Sequence, residues 1–181
     1  MDFLETLTRR NAAFAADGFH PDLKMLPSRK TMIVGCVDPR VDPMDVLKLE
    51  PGEAVVIRNV GGRINPALFE TLAVLHAVSK GAGQDLGDGW NLIVLHHTNC
   101  GIVGCYHNAP DLLARLLGVE TAALDTMAIA DPYKSVEVDI AALRANPQIP
   151  DGFTVTGLVY DTATGLIETV VPPAKLRPGK A

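Results

Sequence analysis

The chain has 181 residues, 48% hydrophobic and 20% charged, an ordinary globular mix that excludes a disordered polymer and reads as a single domain over 1–181. A formal net charge of -5 without any Lys/Arg cluster argues against a nucleic-acid partner, and apolar runs no longer than strands leave nothing to span a membrane. Three cysteines, and an N-terminus (MDFLETLTRRN) that carries acids and no apolar signal core, make a reducing cytoplasm the expected location.

Phe3, Leu7 and Phe14 share one face of a helix expected over about residues 1–16. A polar connector over 17–30 leads to Thr31-Met32-Ile33-Val34-Gly35, a short strand that delivers Cys36 at its end. A short helix is expected over 43–49 and a second strand over 54–57, running into a turn at Gly61-Gly62-Arg63. Asn65 and Pro66 are an N-cap and first helical residue, followed by Leu68, Leu72 and Leu75 on one face as far as Gly81. His76 on this helix, near Phe69 and Ala73, reads as a packed histidine. A glycine-rich turn (81–89) precedes a third strand, Leu92-Ile93-Val94-Leu95, which delivers His97 and Cys100. Helical segments are expected over 110–117 and 120–129. Asp131-Pro132 opens another helix with Val136, Ile140 and Leu143 inward, stopped before Pro147. Phe153 to Tyr160 reads as a fourth strand, and Leu166 to Val171 as an antiparallel edge, with a frayed tail over 172–181.

Apolar strands alternating with helices predict an α/β fold: a mostly parallel sheet of about four strands, an antiparallel edge strand, and helices on both faces. Ligands of such sheets bind beyond the carboxyl ends of the strands. Cys36, His97 and Cys100 all fall there. Two thiolates and an imidazole are a three-ligand zinc set, which leaves a tetrahedral ion one corner for water or substrate and so points to catalysis rather than structure. Asp38 and Arg40, two and four residues beyond Cys36, are either a solvated ion pair or a carboxylate beside the metal steadied by a guanidinium. His96 points to the opposite sheet face, as a core residue or a support for its neighbour. Cys105 and His107 read as an uninvolved thiol and a loop imidazole, with a redox pair or an alternative ligand set as the alternatives.

The Cys-x-Asp-x-Arg (Cys36-Val37-Asp38-Pro39-Arg40) and His-x-x-Cys-Gly (His97-Thr98-Asn99-Cys100-Gly101) pair resembles the zinc signature of the β-class carbonic anhydrases, in particular short members that include carbonyl sulfide hydrolase-like proteins. Residues 56–62 and 160–165 are similar too, and the likeness runs over roughly residues 3 to 171. It implies Cys36, His97 and Cys100 as ligands of Zn2+ and Asp38 and Arg40 as a catalytic dyad. The implied activity is reversible hydration of carbon dioxide to bicarbonate by a zinc-bound hydroxide. It also implies a homodimer or higher homo-oligomer in which the N-terminal helix packs on a partner subunit. Two alternatives remain open: hydrolysis of carbonyl sulfide or carbon disulfide at the same site, and a non-catalytic zinc-binding or sensor protein whose metal Asp38 caps. The chain departs from the family's usual pattern at Pro39, where a small residue is expected, and at Asn99, where short relatives often carry an acid.

Overall fold

A computed structural model describes residues 2–177. Five strands form one sheet: β1 (Thr31–Cys36), β2 (Ala54–Asn59), β3 (Asn91–His97), β4 (Thr154–Tyr160) and β5 (Ile167–Lys175). Their spatial order is β2-β1-β3-β4-β5, with β1, β2, β3 and β4 parallel and β5 antiparallel at the edge. β1 and β3 are therefore neighbours in register, Thr31 opposite Asn91 and Gly35 opposite Leu95. That pairing puts the residues after both strands at one end of the sheet.

The helices are α1 (Phe3–Asp17), α2 (Pro43–Val46), α3 (Pro66–Gly81), α4 (Ile102–Asn108), α5 (Pro110–Leu117) and α6 (Pro132–Ala145). α3 starts where Asn65 accepts a hydrogen bond from the Leu68 N–H, and α6 where Asp131 accepts from the N–H groups of Tyr133 and Lys134. Leu68 and Leu72 of α3 and Val136, Ile140 and Leu143 of α6 meet Met32, Val34, Leu92, Val94, Val155 and Val159 of the sheet in one apolar core. On the other face, α2 approaches so closely that a Cβ at Gly35 would lie 3.1 Å from Pro43. A second cluster joins Ile102 of α4, Leu113 and Leu117 of α5, and Leu124 and Ile129 beyond them.

Three expectations change. The segment expected to be helical over 120–129 is a 3-10 turn, Thr121–Met127, ended by Ala128 at a positive φ of 50°. The tail does not fray at Pro172: β5 runs on to Lys175, Leu176 is buried, and Arg177 donates to the carbonyls of Arg144 and Ile149. The rest of the expected tail, 178–181, lies outside the described residues. Helix α4 has no counterpart in the sequence reading, so His107 stands on a helix rather than a loop.

α1 buries none of its residues, and Phe3 and Phe14 are 68% and 54% exposed. Among the described residues nothing covers its apolar stripe. Among the described residues no helix is long and apolar enough to cross a membrane.

Candidate metal centre

The ends of β1 and β3 deliver the three donors. Cys36 is the last residue of β1, His97 the last of β3, and Cys100 follows after a tight turn through Asn99 at φ 55°. Their ligand atoms all lie within 4.8 Å of one another, the only such cluster of potential ligands among the described residues. The two sulfurs are 3.8 Å apart. Two Zn–S bonds of about 2.3 Å at a tetrahedral angle span about the same distance.

His97 is buried, and its Nδ1 lies 2.9 Å from the Thr98 carbonyl. A carbonyl only accepts, so Nδ1 carries the proton and Nε2 presents a lone pair. That Nε2 is buried with no hydrogen-bond partner. An orphaned buried acceptor beside two sulfurs is the state expected of a side chain shaped for a cation. The electrostatics agree. The Cys100 thiol hydrogen-bonds Cys36 and holds it well below the usual thiol range against the opposing effect of burial, helped by His97 and the Asp38 N–H at 3.4 Å. The second proton is held correspondingly far up on Cys100, first by that same contact with Cys36 and then by burial. The two sulfurs thus hold one proton between them, which a bound dication would displace. Burial pushes the His97 imidazole down, but the adjacent Cys36 sulfur and the Thr98 carbonyl outweigh it and raise its pKa. The donor set fits zinc.

Asp38 and Arg40 form a closed pair. Arg40 Nη2 donates to Asp38 Oδ2 at 2.6 Å and Nε to Oδ1 at 3.0 Å, while the Arg40 backbone N–H donates to Oδ1 at 2.9 Å. Arg40 Nη2 also reaches the Asn99 carbonyl at 3.1 Å. The Arg40 side-chain hydrogen bond therefore holds the Asp38 carboxyl far below the usual carboxylate range. Asp38 is turned to Arg40 and stands outside the three-donor cluster. Pro39 does not disturb this: it is the first residue of a 3-10 turn, Pro39–Val41, where no backbone donor is needed. Asn99 tolerates its left-handed backbone, and it is its carbonyl, not its side chain, that anchors Arg40.

The sequence reading overlooked three residues. Arg58, near the end of β2, donates through Nε to the Cys36 carbonyl at 2.9 Å and through Nη2 to the Asp38 carbonyl at 2.8 Å, and pairs with Asp42. It clamps the backbone that carries Cys36 and Asp38. Arg63, expected only as part of a turn, is buried and paired with Asp139 of α6, and His96 joins them. An acid at position 139, between inward-facing Val136 and Leu143, was the readable signal of a buried polar partner. A cavity of about 150 Å³ lies beside the centre, bordered by His97 and Cys100 on one side and Arg63, His96 and Ser135 on another. Cys105 sits outside the cluster, its sulfur 3.9 Å from the Ala109 carbonyl. His76 is only part-buried, its Nε2 3.3 Å from Asp85.

Comparison with known proteins points the same way. The carbonic anhydrase family profile matches residues 31–167. Beta-carbonic anhydrase 1 of Mycobacterium tuberculosis is 31% identical over 160 residues, covering 87% of this chain and 91% of its own. The crystal structure of a carbonic anhydrase from Streptococcus mutans superposes with a TM-score of 0.72 at 29% identity, over 94% of this chain and 98% of the other. A carbon disulfide hydrolase shares the fold at a TM-score of 0.55 and 20% identity, over 92% of this chain and 89% of the other.

Proposed function

The chain belongs to the β-carbonic anhydrase family of carbonate dehydratases, and from that membership we propose that it interconverts carbon dioxide and bicarbonate at a zinc ion held by Cys36, His97 and Cys100. The observation that carries this reading is the convergence of two sulfurs and an unpartnered, correctly protonated imidazole at adjoining strand ends. Bound there, zinc supplies a Lewis acid that lowers the pKa of water into the neutral range.

The chain's own groups do the orienting. Asp38 is ionised and acceptor-only, so a water beside it must turn an O–H toward the carboxylate and a lone pair away, toward the carbon of the substrate. Oδ2 takes only Arg40 donors and keeps acceptor capacity for that role. Arg40 holds the carboxylate by two parallel contacts and is itself held by the Asn99 carbonyl, so the dyad is tied to the Cys100 turn. Asp38 turned away from the donor cluster supports a helper's role over that of a cap, and so an enzyme over an inert zinc protein.

The uncovered apolar stripe of α1 supports assembly into a homodimer or higher homo-oligomer, and the three free cysteines support a reducing, cytoplasmic setting. The deciding experiment is turnover of carbon dioxide and of carbonyl sulfide by one zinc-loaded preparation. Carbon dioxide hydration well above the buffer rate is expected. Turnover of carbonyl sulfide alone would move the substrate assignment, and turnover of neither would favour a binding protein.

A further inference from the structure

Asp139, in α6, is wholly buried, and its carboxylate is the meeting point of three chain segments. Oδ1 accepts from Arg63 Nη2 at 3.1 Å. Oδ2 accepts from Arg63 Nε at 2.9 Å, from His96 Nε2 at 3.0 Å, and from the Ile64 N–H at 3.2 Å. Arg63 Nη2 also donates to the Met127 carbonyl at 3.0 Å. An ion pair this deep is a poor way to gain stability, because removing both charges from water costs about as much as their attraction returns. Its placement suggests another use.

The two segments that Asp139 grips are those next to the proposed ligands. His96 immediately precedes His97 on β3. Arg63 and Ile64 end the turn after β2, where Asn59 accepts from the Arg63 N–H at 2.8 Å. That turn is pressed against β1: a Cβ at Gly62 would lie 3.1 Å from the Cys36 nitrogen and 3.0 Å from the Gly35 carbonyl carbon. Meanwhile the cavity of about 150 Å³ beside His97 and Cys100 removes side-chain packing from that side of the ligands. Where packing is missing, hydrogen bonds must fix position.

We infer that Asp139, with Arg63 and His96, is a positioning centre that holds the His97 and Cys36 donors in a metal-ready arrangement from the far side of the sheet end. The inference rests on the zinc reading of Cys36, His97 and Cys100. Outer partners of metal ligands are commonly worth about 10–100-fold in metal affinity, and the same range is expected here although Asp139 acts through neighbours.

The test is zinc release from the loaded protein to a chromogenic chelator, beside thermal unfolding. In Arg63→Met/Asp139→Leu both buried charges go together, so no lone charge is stranded and the fold should survive, with Tm lowered because His96 Nε2, the Ile64 N–H and the Met127 carbonyl lose a partner. Zinc release should accelerate by about 10–100-fold. His96→Leu leaves the ion pair in place and serves if the double variant does not fold. It should also release zinc faster and shift the thiolate-to-metal band of the cobalt-substituted protein, which a purely structural role would not move. A folded variant that keeps the parental release rate and cobalt spectrum overturns the inference while leaving the zinc reading intact. A parental chain that takes up no zinc overturns both.

Discussion

Replacing Arg58 should loosen the loop that presents Cys36 and Asp38. Its guanidinium spans two backbone carbonyls, Cys36 O at 2.9 Å and Asp38 O at 2.8 Å, in a half-buried position. Hydrogen bonds from a charged donor are worth about 1.5–3 kcal/mol each, and with partial solvent access the lower end gives about 3 kcal/mol for the two. Arg58→Met keeps the aliphatic stem and removes only the head group, so the loss reports the hydrogen bonds rather than packing. For a chain of this size about 3 kcal/mol corresponds to a fall in Tm of about 6–12 °C. Arg58→Lys should lie between the two proteins, because one ammonium cannot reproduce the fork that reaches both carbonyls. Calorimetry of the zinc-loaded proteins, paired with carbon dioxide hydration, makes the measurement. An Arg58→Met protein with parental Tm and parental turnover would refute the clamp.

Asp38→Asn should keep zinc and lose turnover at every pH. Because Arg40 depresses the folded pKa of Asp38, the carboxylate's contribution is fully present above its unfolded value and is lost only as pH falls through the lower, folded value. A loss of activity on mild acidification is thus not its titration, and stopped-flow profiles should show the variant lower in height without a displaced acid limb; a rise in turnover would instead make Asp38 a cap. Deleting residues 1–16 should reduce the oligomeric order seen in sedimentation, since α1 exposes its whole apolar stripe, and a full-length monomer at micromolar concentration would contradict this. Cys105→Ser should leave zinc content and activity unchanged by metal analysis and hydration assay, because its sulfur stands apart from the donor cluster.

The architecture was legible because it rests on patterns with strong physical causes. Thr31–Gly35 and Leu92–Leu95 read as buried strands from their short runs of strand formers, and the structure pairs them as neighbours, the arrangement that brings Cys36 to His97 and Cys100. The capped helices at Asn65-Pro66 and Asp131-Pro132 start where those residues predict. Helix α4 was missed because Ile102–Asn108 is short and carries Gly104 and Cys105, giving little periodicity to read. β5 outran its expected end because Pro172 and Pro173 sit on an edge strand, where a missing donor costs little. At the site, the proposed donors and the Asp38–Arg40 pair belong to local motifs, whose members are close in sequence. Arg58, Arg63 and Asp139 act across 20 to 76 residues of sequence, and only the tertiary structure brings them to the ligand loops.

The central claim is tested most directly by metal content. Zinc measured by mass spectrometry on the purified chain, alongside Cys36→Ala, His97→Ala and Cys100→Ala, should give one ion per chain in the parent and none in any variant, because two remaining donors do not make a stable site. A folded Cys100→Ala protein that retains one zinc ion and full carbon dioxide hydration would contradict the account.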